Sequence, residues 1–495
     1  MNETETLKMK KITCLVLTVL MIFMPAFSLY AGAETQNSQS YENAVPLVIV
    51  RGMDFGGLYV DYGTPDQQSC FKGIGLTDAA SLLINTAINL KRNNLSHSIA
   101  LAAVDLCDDI MGSFACDENG DSVYNVGYER FFGSMAQFPE KVASAGEDKN
   151  CENGLLKGAV DRFGADKVYY FTYDFRKDPY ILADELKEYI DLALAEHNTD
   201  KVNLINCSMG GVVTDCYLYK YGSSALQKCV FLSSTFYGTD LTTEILQGNI
   251  TVSEESLFNL LKGILNNDFL IKFLKTTGII RTLSKVANTL IQNEKDFIFD
   301  EFLRETFGTM LSVWATVQPD KIENCIDYVF GTSELREKYA PLIKKIHRLQ
   351  NVLSRRDELI KTLPENGVEV AVIASYNSSG IPVYESSVYH TDGGLDTRWM
   401  LGGATVSKLG ESLGYTGEYV SPDGCIDLTD AIFPEYTWAL RDAGHVPAKY
   451  GSDSCELILS VLSYDGQPTV KTLDGFSQFQ AVDKETLNFI PFPEK

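Results

Sequence analysis

Short apolar runs alternate with helix-compatible segments through the middle of the chain. Residues 168–173, 202–205 and 229–232 have the length and apolar composition of buried strands. Residues 179–197 carry the pattern of an amphipathic helix, and residues 212–221 are also compatible with a helix. Strands that alternate with helices form βαβ units. The sequence therefore predicts an α/β fold, with a mostly parallel sheet flanked by helices.

Three more apolar runs extend this predicted sheet. Residues 45–50 precede the central units, and residues 368–374 and 436–440 follow them, the last as the final strand. Between residues 240 and 365, apolar residues recur at helical spacing and no strand pattern is evident. We therefore predict an all-helical insertion between two strands of the sheet.

The domain boundaries follow from the same pattern. A final helix is predicted to contain residues 457–462, and the chain after Asp465 is predicted to be a mostly irregular tail. The predicted units are a signal peptide (1–33), a first part of the α/β core (34–240), a helical cap (241–365), a second part of the core (366–465) and a C-terminal tail (466–495).

The first 33 residues have the composition of a secretory signal. Lys8, Lys10 and Lys11 precede an apolar run at 12–27, and the small residues of 31–33 form an A-x-A cleavage site. The alternative is an N-terminal membrane anchor, although the run is shorter than the roughly 20 residues that span a bilayer. The sequence therefore predicts a secreted or cell-surface protein.

Charge and cysteine content add two expectations. A formal net charge of −24 disfavours nucleic acid and anionic membrane surfaces as partners. Removal of Cys14 with the signal peptide leaves ten of the 11 cysteines, and an oxidising compartment permits disulfides. Cys107 and Cys116 are close together in a segment that resembles a loop, so the sequence favours this pair. The other pairings stay open.

Residues 201–211, K-V-N-L-I-N-C-S-M-G-G, join a predicted strand to a predicted helix through a serine. This is the arrangement of a nucleophile elbow, in which the positions two before and two after the serine must be small. Gly210 meets this requirement after Ser208, but Asn206 stands where glycine is expected before it. Cys207 is the alternative nucleophile, and its register would place bulky Ile205 and Met209 at the tight positions.

A serine nucleophile needs a base, and the base needs an orienting acid. In the α/β-hydrolase arrangement the chain order is serine, acid, histidine. His445 follows the last predicted strand, and His390 is the alternative base. Asp392 begins a glycine-rich turn after the strand at 368–374, and Asp396 is the alternative acid.

A tetrahedral intermediate also needs N–H donors for its oxyanion. The residue after the nucleophile, Met209, is expected to supply one. The glycine-rich turn at residues 51–57 is expected to supply the other from Met53. The alternative is that this turn only closes a loop.

Four short segments resemble α/β-hydrolase-fold lipases, and among them the lecithin–cholesterol acyltransferase-like group. The segments are Y-D-F-R at 173–176, N-C-S-M-G-G at 206–211, F-Y-G-T at 236–239 and D-G-G-L at 392–395. The resemblance implies a triad of Ser208, Asp392 and His445. It also implies that the Cys107–Cys116 loop is a lid region closed by a disulfide, and that the charged residues of 173–176 are structural or form the pocket.

The expected function is that of an exported serine esterase or lipase, which needs no cofactor and no metal. An acyltransferase would share every one of these residues. The helical insertion would be a cap suited to a small-molecule or lipid ester, with transient contact to a lipid interface, or else a subdomain without substrate contact. A catalytically inactive hydrolase fold with a surface or binding role is the alternative that the uncommon Asn206 and Cys207 keep open.

Overall fold

The computed structural model describes residues 45–72, 85, 94–147, 151–265 and 268–493. The predicted signal peptide at 1–33 therefore lies outside the described residues. Within them, no helix has both the length and the apolar character needed to cross a membrane.

The described chain is built around an eight-stranded sheet. Its strands are β1 (Leu47–Val50), β2 (Val168–Phe171), β3 (Val202–Cys207), β4 (Leu226–Leu232), β5 (Glu369–Tyr376), β6 (Thr437–Arg441), β7 (Phe479–Val482) and β8 (Phe489–Ile490). They lie in the order β8-β7-β6-β5-β4-β3-β1-β2, and neighbouring strands are parallel except for the antiparallel pair of β7 and β8. The predicted α/β architecture is confirmed.

Smaller elements surround this sheet. Two small antiparallel sheets contain the strands Leu58–Val60, Gln68–Ser69 and Val126–Tyr128, and the strands Thr405–Val406 and Ile426–Asp427. The α-helices are Leu95–Met111, Pro139–Glu147, Cys151–Phe163, Pro179–His197, Gly210–Tyr221, Asp240–Leu246, Glu254–Leu265, Asp268–Thr276, Ile279–Ile298, Arg304–Thr306, Leu311–Trp314, Ile322–Val329, Ser333–Lys338, Ala340–Leu353, Arg356–Lys361, Thr397–Met400 and Asp453–Ser463.

The alternation of side chains along β1 divides the core into two layers. Val48 and Val50 belong to one apolar cluster, whereas Leu47 and Ile49 belong to another. Successive residues of a strand point to opposite faces of a sheet, so each cluster covers one face. Helices contribute to both clusters, which is why the strands read as continuous apolar runs.

Local chemistry sets where the helix before the elbow strand begins and ends. Asp178 accepts a hydrogen bond from Tyr180 N at 3.0 Å, and proline follows at the first helical position. The last helical residue is His197, and Asn198 caps the helix with a left-handed φ of 48°. Asparagine tolerates this conformation better than most residues, and it ends the helix shortly before β3.

The helical insertion between β4 and β5 has two parts with different packing. Residues 311–363 contribute many buried side chains to the cluster that covers the sheet, including Trp314 and Ile346. Residues 252–291 contain a separate small apolar cluster. His97 Nδ1 and Glu294 Oε2, 2.9 Å apart, join this part to the helix Leu95–Met111. One part of the insertion therefore packs on the sheet, and the other has an apolar cluster of its own.

The predicted irregular tail after Asp465 is wrong in one respect. Strands β7 and β8 lie there and extend the sheet beyond β6, which was predicted to be the last strand. Both strands are short, and β8, with only two residues, is the edge strand. A run this short carries little periodicity, so backbone hydrogen bonding to a neighbour decides its structure.

The predicted disulfide between Cys107 and Cys116 is also wrong, because both residues are free thiols. Cys107 lies inside the helix Leu95–Met111 rather than in a loop. Cys116 lies beyond the end of that helix, and its thiol contacts the carbonyl oxygen of Phe114 at 3.7 Å. Closeness in sequence did not place the two sulfur atoms together, since helix and loop direct their side chains separately.

Candidate active site

Ser208 occupies a strained turn at the carboxyl end of β3. Its φ is +52°, a left-handed conformation that is uncommon for serine, and the helix Gly210–Tyr221 follows directly. Its N–H donates to Leu232 O at 3.0 Å, which holds the turn against the end of β4. A Cβ atom on Gly210 would lie 2.7 Å from Val50 O, so glycine is required there. This is the geometry of a nucleophile elbow.

Gly211 explains how Asn206 fits at the tight position before the serine. Asn206 is fully buried, and its side-chain oxygen accepts a hydrogen bond from Ser234 Oγ. A Cβ atom on Gly211 would lie 3.3 Å from that oxygen and 3.0 Å from Ser234 Cβ. Because Gly211 has no side chain, the Asn206 side chain fits at a position where such elbows usually have glycine.

Cys207 is directed away from the reactive position. Its side chain belongs to the apolar cluster on the face of the sheet opposite to Val48, and burial raises its pKa well above the usual value, with a further contribution from Glu152. A thiol that stays protonated is a poor nucleophile. The geometry therefore favours Ser208 over Cys207.

Asp392 and His445 form a close hydrogen-bonded pair. His445 Nδ1 donates to Asp392 Oδ2 at 2.6 Å. The other carboxylate oxygen of Asp392 accepts from Gly394 N at 2.9 Å and from Leu395 N at 2.7 Å. Both backbone donors come from the glycine-rich turn, in which Gly393 has a φ of +101°. The turn orients the buried carboxylate, and the carboxylate orients the imidazole so that Nε2 is left with the lone pair.

The pKa of His445 is raised above its ordinary value of 6.5. Burial opposes the charged imidazolium, but the negative charge and hydrogen bond of Asp392, together with the charge of Glu152, outweigh it. A base with a raised pKa takes a proton more readily from a serine hydroxyl.

A second strained segment positions the histidine. Val446 has a φ of +51°, which is rare for a β-branched residue, and its N–H donates to Ser233 Oγ at 3.2 Å. Ser233 itself has a φ of +47° and directly follows Leu232, the residue that binds Ser208 N. The loops after β3, β4 and β6 therefore meet at one edge of the sheet. Among the described residues, no hydrogen bond joins the Ser208 hydroxyl to His445.

The turn after β1 reaches the same edge. A Cβ atom on Gly52 would lie 2.9 Å from Ser208 Cβ, which shows how closely this turn approaches the serine. The backbone N–H groups of Met53 and Met209 donate to no acceptor within the part of the chain that the structure describes. Both groups are therefore available for a ligand oxygen.

His390, the alternative base, is fully buried and faces a different environment. Its Nε2 lies 3.4 Å from Ser407 Oγ, and its ring packs against Tyr376. Burial lowers its pKa to about 4, which favours a permanently neutral ring. His390 thus has the environment of a structural residue.

Asp396, the alternative acid, points toward the helical insertion. Its Oδ2 accepts from Asp240 N at 2.8 Å, and Tyr384 donates to Oδ1 at 3.3 Å. Burial, aided by the charge of Asp240, raises its pKa to about 8. It therefore keeps a proton near neutral pH and has no contact with His445 in the described residues.

Asp396→Asn is expected to stabilise the protein increasingly as pH rises from about 5 to about 8. In the unfolded chain this carboxyl ionises near pH 4, whereas the folded protein retains the proton up to about pH 8. The free energy of unfolding of the wild type therefore falls with rising pH by up to about 1.4 kcal/mol per unit. Urea unfolding at pH 5 and pH 8 measures the difference. Asp320→Asn, at an exposed carboxylate, is the control, and a loss of stability at both pH values would contradict the assignment.

Sequence reasoning missed Glu152 and Ser233. Glu152 stands in the first turn of the helix Cys151–Phe163, and its carboxylate accepts from Gly52 N at 3.0 Å and from Arg51 Nε at 3.2 Å. An acidic residue in a first helical turn is a common helix-stabilising feature, so its sequence context gave no sign of a site. The charged residues of the segment 173–176, by contrast, form a buried ion pair at 2.7 Å, consistent with a structural role.

The chain was compared with protein-family models, curated proteins and solved structures, and matches were found among the solved structures. No protein-family model matches the chain, and no curated protein matches it. A meta-cleavage product hydrolase from Pseudomonas fluorescens IP01 (CumD), a serine-to-alanine mutant complexed with acetates, is 18% identical over 44% of this chain and 58% of that chain, with a TM-score of 0.16. An alanine-to-valine mutant of CumD is 19% identical over the same shares, also with a TM-score of 0.16. The match thus spans less than two thirds of that hydrolase.

The eight-stranded sheet decides the architecture. Its parallel strands, the elbow at the carboxyl end of β3 and the helices on both faces are the features of one fold. The chain has the α/β-hydrolase fold. A fold of this kind hosts many reactions, so function has to be argued from the site.

Proposed function

We propose that this α/β-hydrolase is a serine hydrolase of carboxylic esters. One observation carries the proposal: the strained Ser208 lies at the same edge of the parallel sheet as the Asp392–His445 pair. Within that pair, His445 Nδ1 lies 2.6 Å from Asp392 Oδ2. A serine held at positive φ costs free energy, and such strain persists where the surrounding structure enforces it, commonly at active sites.

The reaction would proceed through an acyl-enzyme. Ser208 Oγ attacks the ester carbonyl carbon as His445 Nε2 takes its proton. The C–O bond to the alcohol then breaks, and the alcohol leaves with that proton. Water attacks the acyl-enzyme, again losing a proton to His445, and the carboxylic acid departs as Ser208 is protonated.

Asp392 would hold the imidazole and stabilise its charged form through the 2.6 Å hydrogen bond. The N–H groups of Met209 and Met53 would bind the oxyanion of each tetrahedral intermediate. Their freedom from acceptors within the described chain supports this role. No step requires a metal or a cofactor.

Acyl lipids are the substrate class that the proposal favours. The resemblance of four segments to the lecithin–cholesterol acyltransferase-like group supports it, as does a helical insertion with its own apolar cluster around Leu257 and Ile291. Such a cap can shelter a fatty-acyl chain from water. Transfer of the acyl group to a second alcohol would use the same residues, and the proposed site of action is outside the cell or at its surface.

A chain-length series tests the substrate class. One sample of the protein is labelled with a fluorophosphonate probe, and the labelled peptide is identified by mass spectrometry. With a second, unlabelled sample, hydrolysis of 4-nitrophenyl esters from acetyl to palmitoyl is measured with and without an added alcohol. Specificity is expected to rise with acyl length, because a longer chain buries more apolar surface.

Three results would redirect the proposal. A preference for acetyl esters would replace a lipid substrate with a small soluble ester. Formation of a new ester in place of free acid would identify an acyltransferase. Failure of the probe to label the protein at all would favour an inactive hydrolase fold with a binding role.

A further inference from the structure

Glu152 is close to the nucleophile, with the turn at Gly52 between them, although it belongs to a different part of the chain. Its side chain is 12% exposed. A Cβ atom on Gly52 would lie 2.8 Å from Glu152 Oε1 and 2.9 Å from Ser208 Cβ. The carboxylate, the turn after β1 and the serine are therefore in successive contact, with no space for a larger residue at position 52.

Both oxygens of Glu152 hold the turn that leads to Met53. Oε1 accepts from Gly52 N at 3.0 Å, and Oε2 accepts from Arg51 Nε at 3.2 Å. Tyr173 fixes the same turn from another side, since its hydroxyl donates to Arg51 O at 2.6 Å. The Gly52 N–H is thereby occupied, and the next N–H along the chain, that of Met53, is the one left for an oxyanion.

We propose that Glu152 is a positioning residue, which fixes the turn after β1 so that the Met53 N–H faces the oxyanion of the acyl-transfer intermediate. This inference rests on the proposed serine hydrolase function. An oxyanion donor contributes to catalysis only if it already points at the developing charge. The hydrogen bond that Glu152 accepts from Gly52, one residue before Met53, therefore strongly affects how well the Met53 N–H stabilises the oxyanion.

The charge of Glu152 has a second consequence. It favours the protonated form of His445, in the same direction as Asp392. Arg51 partly offsets it through the ion pair. Tyr170 and Tyr173 also face this carboxylate, and burial, together with the charge of Glu152, raises both of their pKa values, so they stay neutral at working pH. Removal of the carboxylate is therefore expected to lower the pKa of His445.

Two substitutions separate the hydrogen bond from the charge. Glu152→Ala removes both, and kcat for a water-soluble 4-nitrophenyl ester is expected to fall about 10- to 100-fold with KM within about twofold. Glu152→Gln retains an acceptor for Gly52 N–H, so kcat is expected to fall less than about fivefold. The acid limb of its kcat/KM profile should move to lower pH by a few tenths of a unit, roughly the effect of one partly offset charge.

Glu456→Gln is the matched control. Glu456 ion-pairs with Arg162 at 2.6 Å, and Arg162 lies on the same helix as Glu152 but at its other end. Like the Glu152 variants, this control removes one carboxylate that contacts the helix. The Glu456 side chain is half-exposed, and residue 456 is far from Ser208 in sequence. The control is expected to leave kcat and the pH profile unchanged, and thermal unfolding of all variants reports any loss of folding.

The labelling rate with a fluorophosphonate distinguishes this inference from the proposed function. If the wild type is not labelled, the proposed function fails. If the wild type is labelled and Glu152→Ala reacts and turns over at the wild-type rate, the positioning role alone is overturned. Should Glu152→Ala not fold, Glu152→Asp decides, because it keeps the charge but withdraws the carboxylate from Gly52 N by one methylene. A wild-type kcat in this variant overturns the role, and a kcat lowered at least about fivefold with an unshifted acid limb supports it.

Discussion

Ser208→Ala is expected to abolish covalent labelling by a fluorophosphonate and to lower ester turnover by at least about 10⁴-fold. The labelled atom is expected to be the Ser208 hydroxyl oxygen, because the neighbouring Cys207 thiol is buried in an apolar cluster. Residual activity would reflect only binding and oxyanion stabilisation, which survive the loss of the nucleophile.

Cys207→Ala is the control for that experiment. The Cys207 thiol is buried in an apolar cluster and its pKa is raised well above its usual value by burial, so its removal is expected to leave labelling intact. A small loss of stability is expected because a buried thiol is replaced by a smaller side chain. Labelling that survives Ser208→Ala and disappears with Cys207→Ala would assign the nucleophile to the cysteine.

His445→Ala is expected to reduce kcat by about 10⁴-fold, whereas His390→Ala should retain most of it. Of these two histidines, His445 is hydrogen-bonded to Asp392, whereas His390 is buried beside Ser407. His390→Ala is expected to lower the melting temperature instead, because it opens a cavity in a packed region. Steady-state kinetics and thermal unfolding on both variants separate the two roles.

The pH profile of the wild type gives an independent check. Catalysis requires neutral His445, and its pKa is raised above 6.5 by Asp392 and Glu152 against the effect of burial. Activity is therefore expected to fall as pH drops through that raised pKa, and the acid limb of kcat/KM should lie above pH 6.5.

The two histidine variants can also overturn the assignment of the base. Strong activity in His445→Ala together with loss of activity in His390→Ala would do so.

The predicted order of site residues depended on local signals. An apolar run followed by a serine, a glycine and a helix pattern indicates an elbow, since strand and helix collide without small residues there. Strands that alternate with helices indicate a parallel sheet, and the carboxyl ends of parallel strands share one edge. Together with the chain order of serine, acid and histidine in the α/β-hydrolase arrangement, these signals predicted the roles of Ser208, Asp392 and His445.

Choices between neighbouring candidates needed the tertiary structure. Asp392 and Asp396 belong to one turn and differ only in what faces them, His445 in one case and the Asp240 N–H in the other. No local pattern distinguishes them, because each partner comes from a distant part of the chain. The same reasoning applies to the free thiols of Cys107 and Cys116, which local spacing had joined.

By itself, the sequence determined the fold class, the helical insertion and the candidate nucleophile, because periodicity and turn chemistry are properties of neighbouring residues. Only the tertiary structure decided how Asn206 is accommodated, which carboxylate meets His445 and that Glu152 holds Gly52 across 100 positions of sequence. It also added β7 and β8 to the sheet. Each of these features depends on a contact between residues that are far apart in sequence, and a local sequence pattern does not show such contacts.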